Sequence, residues 1–334
     1  MGRSSPGPSR AAYASLRGRG AARVAMPLAA ALLAGCVRAP SAPELPLASL
    51  DTARIVEDLR VLAADSMEGR ATGTAGAERT RRFLRAAFAQ AGIAAFDTGY
   101  DRPFVSASGS RTVEGVNVVG YVEGTDRSGP VIVMTAHYDH LGVRDGAVYN
   151  GADDNASGTA ALLAVARHLR EEPPTHTVVL AALDAEELGL LGARAFLADP
   201  PVARERIALN INLDMVGRNA QDELYAAGAY HYPFLRPLLE QVAGDAPIRL
   251  RLGHDSPALP RADDWTQQSD HGAFHAAGIP FVYFGVEDHS DYHRPSDDPE
   301  RIESDFYVGA VATIIAALEA LDEGLPSFPP LHVN

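Results

Sequence analysis

Apolar runs typical of buried strands alternate with stretches of helical periodicity along most of this 334-residue chain. Strand-like runs occur at residues 116–122, 130–136, 177–183, 207–213 and 280–284. Apolar residues at helical spacing occur at residues 55–62, 78–91, 158–169, 233–242 and 306–321. Strands that alternate with helices usually pair in parallel and are covered on both faces. The pattern therefore predicts an α/β fold, a three-layer sandwich with a mixed, largely parallel central sheet flanked by helices.

The first 50 residues do not follow this pattern. A stretch with five arginines and no acidic residue leads into an apolar run at residues 26–36, which is typical of an export signal. The run is too short for a helix that crosses a bilayer. Its last four residues, Leu-Ala-Gly-Cys at 33–36, resemble the bacterial lipoprotein signature. We therefore predict a lipoprotein signal peptide over residues 1–36.

The lipoprotein resemblance implies that Cys36 carries the lipid and becomes the first residue of the mature protein. Val37 follows it instead of an aspartate, so the usual signal for retention in the inner membrane is missing. We expect export and anchoring in the bacterial cell envelope, at the outer membrane. Residues 37–50 form a Pro-rich tether and residues 51–325 a single folded domain. The alternative is a plain secretory signal, with Cys36 left free or removed.

Composition and charge exclude several classes of protein. The chain is 46% hydrophobic and 22% charged, which excludes a disordered or fibrous chain. The net charge is −14, and the arginine-rich stretch lies within the predicted signal peptide, so the rest of the chain is more acidic still. Nucleic acid is therefore not an expected partner. A single cysteine excludes an internal disulfide and a multi-cysteine metal site. The absence of lysine excludes Schiff-base chemistry.

Metal-binding residue types follow the predicted strands at the points where they end. His137, Glu187, Asp214 and His293 each come after a different strand-like run, and an acidic turn contains Asp154. In such sheets ligands gather beyond the carboxyl ends of the strands. Five oxygen and nitrogen donors are too many for one tetrahedral zinc ion, but they suit two ions about 3.5–4 Å apart that share a carboxylate. The neighbouring glutamate, at 186, is placed to act as a general base.

These residues lie in motifs that resemble metallopeptidase family twenty-eight, the co-catalytic di-zinc aminopeptidases. The motifs are His-Tyr-Asp-His at 137–140, Gly-Ala-Asp-Asp-Asn-Ala-Ser-Gly at 151–158, Ala-Glu-Glu-Leu-Gly at 185–189, Asn-Leu-Asp-Met at 212–215, Ser-Asp-His at 269–271 and Tyr-His at 292–293. All of them occur in the family's order, between about Asp51 and Leu321. The resemblance makes the domain at 51–325 the zinc peptidase catalytic domain.

The resemblance assigns a role to each motif residue. It implies that two Zn²⁺ ions are bound, one by His137 and Asp214 and the other by Glu187 and His293. It also implies the roles of residues around them. Asp154 bridges the ions, Glu186 is the general base, and Asp139 accepts the ring N–H of His137. Asp270 supports the site or binds the substrate amine, and Tyr292 stabilises the oxyanion. A cis peptide bond between Asp154 and Asn155 is a further expected feature.

The implied reaction is the hydrolysis of a peptide bond by a metal-bridged hydroxide, with proton transfer through Glu186. The expected partner is a peptide with a free N-terminus, from which the enzyme removes the first residue. We expect a monomer. Other histidines, including His140 and His289, are expected to be surface or structural residues.

Four alternatives remain open from the sequence. A carboxypeptidase of the same fold would use a basic residue such as Arg218 or Arg294 to bind the substrate carboxylate. A glutaminyl cyclase would bind a single zinc ion, which the full set of five ligands disfavours. A phosphatase with the same metals has no motif here, and a binding protein without activity is disfavoured by Glu186.

Overall fold

The computed structural model describes residue 47 and residues 49–329. The predicted signal peptide, Cys36 and most of the predicted tether lie outside the described residues. Contacts place all the described residues in one compact unit.

Seven α-helices and eleven strands occur in the described residues. The helices are α1 (Thr52–Leu62), α2 (Ala75–Gln90), α3 (Gly158–Glu171), α4 (Leu191–Ala198), α5 (Arg236–Asp245), α6 (His271–Ala276) and α7 (Ser304–Gly324). The strands are β1 (Ala94–Ala95), β2 (Asp101–Ser108), β3 (Arg111–Val122), β4 (Asp126–His137), β5 (Gly142–Arg144), β6 (Ala147–Tyr149), β7 (His176–Leu183), β8 (Ile207–Leu213), β9 (Glu223–Ala227), β10 (Arg249–Leu252) and β11 (Phe281–Gly285).

The main sheet has nine strands in the order β1-β3-β7-β4-β8-β11-β9-β10, with β2 also paired to β3. Its centre is parallel, because β4 pairs in parallel with both β7 and β8, and β8 pairs in parallel with β11. Antiparallel pairs occur toward the edges, between β3 and β7 and between β9 and β11. The sheet is therefore mixed with a parallel centre, as predicted.

Both faces of the sheet are covered, which explains why its central strands are continuously apolar. Successive residues of a strand point to opposite faces. Accordingly, Ile132 and Met134 of β4 join a core that includes residues of α1, α2, α3, α5 and α7. Val131 and Val133 join a second core with residues of α4 and α6. This confirms the three-layer arrangement.

Helix α7 is long and apolar enough to cross a membrane by length and composition alone. In the structure 78% of its most apolar window is buried inside the protein. It packs against α5, α3 and α1 on one face of the sheet. Its hydrophobicity is that of a core helix in a sandwich fold.

Several short elements were not predicted from the sequence. Strand β2 alternates half-buried with exposed residues, and β5 and β6 have three residues each. Helices α4 and α6 have eight and six residues. Such elements are held by tertiary contacts rather than by their own periodicity, so the sequence carries little signal for them.

Candidate metal centre

The metal-binding residue types converge at one edge of the sheet. His137 is the last residue of β4, Asp214 directly follows β8, and Glu187 and His293 lie in the loops after β7 and β11. These four strands are neighbours and run in parallel, so their carboxyl ends lie side by side. The structure therefore brings together the residues that the sequence singled out.

One set of donors has two residues at the ends of strands and a third, Asp154, in the turn Ala152–Ser157. Nε2 of His137 is 3.3 Å from Oδ1 of Asp214 and 3.4 Å from Oδ1 of Asp154. We call His137, Asp214 and Asp154 the strand-borne group. All three residues are buried, and their donor atoms lie close enough together to hold one metal ion.

A second set of donors shares the same aspartate. Oδ2 of Asp154 is 3.0 Å from Nε2 of His293, which is 3.4 Å from Oε2 of Glu187. His140 completes this set, because its Nδ1 lies 2.8 Å from Oε1 of Glu187. We call Glu187, His293, His140 and Asp154 the loop-borne group. His140 is not a surface residue, since it is buried beside the donors.

Asp139 supports the site in a different way from the one expected. Nδ1 of His137 donates to the backbone oxygen of Asp139 at 3.1 Å, whereas the nearer carboxylate oxygen of Asp139 is 3.7 Å away. That carboxylate instead accepts the backbone N–H groups of Glu186 at 3.0 Å and Glu187 at 3.4 Å. The backbone contact leaves Nε2 of His137 free to bind metal. The carboxylate positions the two glutamates.

The donors present fit divalent metal ions of the zinc type. Imidazole nitrogens and carboxylate oxygens bind zinc at about 2.0–2.2 Å, which places neighbouring donors of a tetrahedral site about 3.3 Å apart. The separations from His137 and His293 to their carboxylate neighbours, 3.0–3.4 Å, are close to that value. Oε1 of Glu187 and both ring nitrogens of His140 are buried and have no hydrogen-bond partner among the described residues. Unpaired buried donors of this kind are satisfied by a cation.

The sequence profile of Peptidase family M28 matches residues 117–318, which is more than half of the chain. The chain belongs to peptidase family M28. This confirms the family resemblance of the strand-end motifs. The matched range contains all five residues expected to bind metal, from His137 to His293.

Curated relatives of this M28 family member carry the names of peptidases. Aminopeptidase YwaD of Bacillus subtilis is 32% identical over 219 residues, which are 60% of this chain and 44% of the relative. A probable zinc metalloprotease of Leptosphaeria maculans is 29% identical over 218 residues, 54% of this chain and 48% of the relative. The chain thus spans somewhat less than half the length of these relatives.

Solved structures share the fold at low sequence identity. A zinc aminopeptidase from Bacillus subtilis superposes with a TM-score of 0.64 at 19% identity, covering 82% of this chain and 95% of that one. A glutaminyl cyclase from Porphyromonas gingivalis superposes with a TM-score of 0.66 at 20% identity, covering 80% and 98%. These likenesses confirm the fold class predicted from the sequence.

The pKa values of the two adjacent glutamates of this M28 family member, Glu186 and Glu187, are shifted in opposite directions. Burial raises the pKa of Glu186 well above its ordinary range, and although His137 opposes the rise, Asp270 and Asp214 add to it. Burial also acts on Glu187, but the imidazoles of His140 and His293 outweigh it and hold the pKa of Glu187 below its ordinary range. Such a separation is typical of paired carboxyl groups with different roles. Glu187 is suited to bind a cation and Glu186 to accept a proton.

Asp270 lies fully buried behind these residues. Neither of its carboxylate oxygens has a hydrogen-bond partner among the described residues. Burial raises the pKa of Asp270 to about 7; His137 lowers it, and the charges of Asp139 and Asp214 raise it further. A negative charge at Asp270 would in turn disfavour ionisation of Glu186. Asp270 therefore acts on the glutamate through electrostatics, which the sequence alone did not indicate.

Tyr292 lies against a ligand of the loop-borne group. Its ring stacks on that of His293, with centroids 3.9 Å apart and planes inclined by 21°. Burial raises the pKa of Tyr292 above its ordinary value, and the charges of Asp154 and Asp214 raise it further. The hydroxyl therefore keeps its proton at neutral pH and remains a hydrogen-bond donor.

Three non-glycine residues at the site adopt the left-handed backbone conformation. They are Ala185, Met215 and His293, with φ angles of 59°, 58° and 55°. Each of them is a ligand or lies within two residues of one. Strain of this kind clusters at functional sites, where the surrounding structure holds it. The peptide bond between Asp154 and Asn155 is cis, as the resemblance implied.

Two acidic residues that are not expected ligands, Asp297 and Asp153, hold the loops in place. The buried carboxylate of Asp297 accepts the backbone N–H groups of Asp153 and Asp154 at 3.1 Å. Oδ2 of Asp153 accepts Nε2 of His289 at 3.1 Å, and its Oδ1 accepts the backbone N–H of Gly217 at 2.7 Å. The loop that carries His293 is thereby joined to the turn that carries Asp154. No motif spacing could have indicated these contacts, since they connect distant parts of the chain.

Arg70 is a fully buried cation beside the site. Its guanidinium donates to four backbone oxygens, those of Leu62, Tyr138, Asn150 and Gly151, at 2.6–2.9 Å. It therefore ties the segment after α1 to the loops before and after β5 and β6. Burial lowers the pKa of Arg70 to about 10, although the nearby carboxylates of Asp154 and Asp297 favour its charge. A positive charge here offsets part of the acidic excess of the site.

Proposed function

We propose that this protein is an exported di-zinc metallopeptidase that removes residues from the free N-terminus of peptides. The observation that supports the proposal is the pair of donor groups that share Asp154, with Glu186 beside them. The ligands would be the five expected residues, His137, Asp154, Glu187, Asp214 and His293. When bound, two zinc ions supply Lewis acidity, which makes water acidic near neutral pH and polarises a carbonyl group.

Glu186 is the proton carrier in this proposal. Its backbone N–H is held by Asp139, and burial raises the pKa of its side chain, so Glu186 binds a proton more tightly than an exposed glutamate does. As a carboxylate it takes the proton of the attacking water, and as the acid it then donates that proton to the leaving nitrogen. The carboxylate is thereby restored at the end of the cycle. A general base is most effective when its pKa is near the working pH.

Tyr292 is the proposed donor to the substrate carbonyl oxygen. The hydroxyl keeps its proton, and stacking on His293 restricts the orientation of the ring. A donor that is already oriented stabilises the negative charge that develops on the oxygen during attack.

Specificity for a free amine follows from the charge of the site. Burial raises the pKa of each of three acidic side chains near the metal ligands, Glu186, Asp270 and Asp288. A substrate ammonium group would favour their ionised forms, whereas a substrate carboxylate would disfavour them further. Of the two basic residues named for a carboxypeptidase, Arg218 and Arg294, the first is already engaged, since Arg218 donates to Asp291 at 2.7 Å. The site therefore offers more to a substrate ammonium group than to a substrate carboxylate.

Metal content and hydrolysis together test this function. We expect two zinc ions per chain and cleavage of aminoacyl p-nitroanilides, but not of their N-acetylated analogues. Glu186→Gln should keep both ions and lose about 10²–10⁴-fold in kcat. One zinc ion with cyclisation of N-terminal glutamine would indicate a cyclase instead. Hydrolysis restricted to C-terminal residues would indicate a carboxypeptidase.

The proposed location in the cell envelope rests on the sequence around Cys36. Radiolabelled palmitate fed to expressing bacteria should label the wild-type protein, and the label should be lost in Cys36→Ala. A labelled Cys36→Ala protein, or an unlabelled wild type, would contradict the lipid anchor. Fractionation of the same cultures then separates outer-membrane from inner-membrane protein.

A further inference from the structure

The hydroxyl of Thr72 reaches two buried carboxylates beside the metal centre. Thr72 lies in residues 71–74, which connect the buried Arg70 to α2. Its Oγ1 donates to Oδ1 of Asp184 at 2.8 Å and lies 3.5 Å from Oδ2 of Asp139. Thr72 is half-buried, whereas both aspartates are buried. The hydroxyl therefore joins a segment outside the sheet to the loops at its carboxyl edge.

Asp184 directly follows β7 and is fully buried. Its Oδ1 accepts the hydroxyl of Thr72 at 2.8 Å and the backbone N–H of Ala185 at 2.9 Å. Its Oδ2 accepts the backbone N–H of Val116 at 3.0 Å and the hydroxyl of Tyr138 at 2.7 Å. An ionised carboxylate has about four acceptor sites, and a buried one costs free energy when they are unfilled. Loss of the Thr72 hydroxyl would leave this carboxylate one hydrogen bond short.

The loop after Asp184 carries both glutamates and is held at each of its ends. The side chain of Asn117 accepts the backbone N–H of Asp184 at 3.0 Å and donates to the backbone oxygen of Gly192 at 2.8 Å. Ala185, the first residue of the loop, has a φ of 59°, which is uncommon for a residue with a Cβ atom. Its N–H is held by the Asp184 carboxylate, and its carbonyl oxygen accepts the N–H of Leu191 at 3.0 Å. The strained start of the loop thus depends on that carboxylate.

The two carboxylates that Thr72 approaches hold consecutive residues of this loop. Asp184 accepts the backbone N–H of Ala185, and Asp139 accepts that of Glu186 at 3.0 Å. Burial raises the pKa of Asp184 to about 6, and the nearby charge of Asp139 raises it further. Hydrogen bonds to ionised carboxylates offset such repulsion. A donor at the position of Thr72 therefore stabilises the arrangement in which both carboxylates face the loop.

We propose that Thr72 is a positioning residue for Glu186, acting through Asp184 and the turn at Ala185. The inference rests on the function proposed above, in which Glu186 carries the proton. Thr72 belongs to neither donor group, so its role concerns the placement of the general base rather than the binding of metal. A misplacement of about 1 Å can slow a reaction by about 100-fold.

Two substitutions of Thr72 separate its hydroxyl from its shape. Thr72→Val removes the donor and keeps the shape, whereas Thr72→Ser keeps the donor. With aminoacyl p-nitroanilides, kcat should fall about 10- to 100-fold in Thr72→Val, while Thr72→Ser should stay within about 3-fold of the wild type. Zinc content and KM should be unchanged in both variants, because the ligands and Tyr292 are unaltered.

The possible failures of this test are distinguishable. An unchanged kcat in Thr72→Val would overturn the inference and leave the proposed function intact. Equal losses in Thr72→Val and Thr72→Ser would also overturn it, since the serine retains the hydroxyl. No hydrolysis by the wild type would overturn the proposed function and this inference with it.

Thr313→Val is the matched control for the loss of a threonine hydroxyl. Thr313 is fully buried in α7, and its hydroxyl donates to the backbone oxygen of Gly309 at 2.8 Å. Its removal should lower the free energy of unfolding without a change in kcat. A fall in kcat equal to that of Thr72→Val would show that general destabilisation is responsible, and would contradict a positioning role.

Hydrogen exchange tests the placement of the loop without any substrate. In the whole protein, the backbone amides of Ala185 and Glu186 should exchange at least about 10-fold faster in Thr72→Val than in the wild type, and those of α7 should not change. Thr72→Ser should restore the slow exchange. Unchanged exchange at Ala185 and Glu186 in Thr72→Val would overturn the inference, whatever the result of the kinetic test.

Discussion

The two donor groups of the metal centre are built on different kinds of structure. In the strand-borne group, His137 ends β4 and Asp214 follows β8, and the two strands pair in register just before these residues, with Thr135 opposite Asn212. In the loop-borne group, Glu187 and His293 lie several residues beyond their strands. His137 is 1% exposed, while the side chain of His293 is 38% exposed.

This difference explains where the supporting contacts lie. The hydrogen-bond ladder of the sheet positions the strand-borne group, so few side chains are needed to hold it. The loops have no ladder, and ordering them costs conformational entropy that other contacts must offset. Asp139, Asp297 and the pair of Asp153 with His289 supply those contacts. A loop-borne site therefore depends on residues that are not themselves ligands.

The largest expected effect comes from Asp154, which belongs to both groups. Asp154→Ala should weaken the binding of both ions by more than about 100-fold, because each loses a charged ligand. Asp214→Ala should weaken only the ion of the strand-borne group. Zinc titration with a competing chelator distinguishes the two patterns. Retention of one tight ion in Asp154→Ala would contradict the shared carboxylate.

Substitution of Arg70 tests how much its hydrogen bonds to the backbone beside both donor groups contribute to stability. Arg70→Met leaves four buried backbone oxygens without their donor, at about 1–3 kcal/mol for each one that finds no other. We expect the free energy of unfolding in urea to fall by about 3 kcal/mol or more. Arg82→Met is the control, since Arg82 lies on the exposed side of α2 with a side chain 62% exposed. A similar, small change in both variants would contradict the structural role of Arg70.

A substitution of Asp297 tests whether zinc affinity at the loop-borne group depends more on supporting contacts than affinity at the strand-borne group. In Asp297→Asn the amide presents an N–H where the carboxylate accepted two backbone N–H groups, so the turn before Asp154 loses a support. Asp154 belongs to both groups, but Asp297 also lies in the loop that carries His293, which only the loop-borne group uses. Zinc affinity at the loop-borne group should therefore fall about 10- to 100-fold, with a smaller change at the strand-borne group. Asp298→Asn is a neighbouring control, because an amide oxygen can still accept Nδ2 of Asn150. Equal losses at both ions would show that the loops are not the dependent part.

The smallest expected effect is on the pH dependence of the unfolding free energy, and it comes from His271, near the strand-borne group. Burial lowers the pKa of His271 to about 4, and its Nε2 bonds the backbone oxygen of Trp265. Between pH 6.5 and 4 the unfolded chain binds a proton that the folded protein excludes, so stability falls as the pH falls through this window. As the pH falls from 7.5 to 5.5, the free energy of unfolding should decrease by about 1 kcal/mol.

His271→Gln keeps a donor toward Trp265 but cannot titrate. The unfolding free energy of the metal-free variant, measured in urea, should therefore depend less on pH than that of the metal-free wild type. Parallel pH profiles for the two proteins would contradict burial of a neutral imidazole at this position.

The strands and ligand motifs were accessible from the sequence because they depend on local patterns. Continuous apolar runs mark buried strands, and strand β8 was predicted with its observed bounds, 207–213. Motif residues such as His137 and Glu187 stand at strand ends, where sheet topology brings them together. The burial of His140 beside Glu187 was not predicted, since its neighbours in the sequence say nothing of Glu187, which lies beyond another strand. The contacts of Arg70 and Asp297 were not predicted for the same reason.

By itself, the sequence determined the α/β class and the family, and it predicted five metal ligands, because hydrophobic periodicity and motif order are properties of neighbouring residues. The tertiary structure decided how unequal the two donor groups are: which loops need support, which backbone atom holds His137, and where His140 lies. Those features depend on contacts between segments that are distant in the chain. Their geometry is set by packing across the edge of the sheet, which no local pattern encodes.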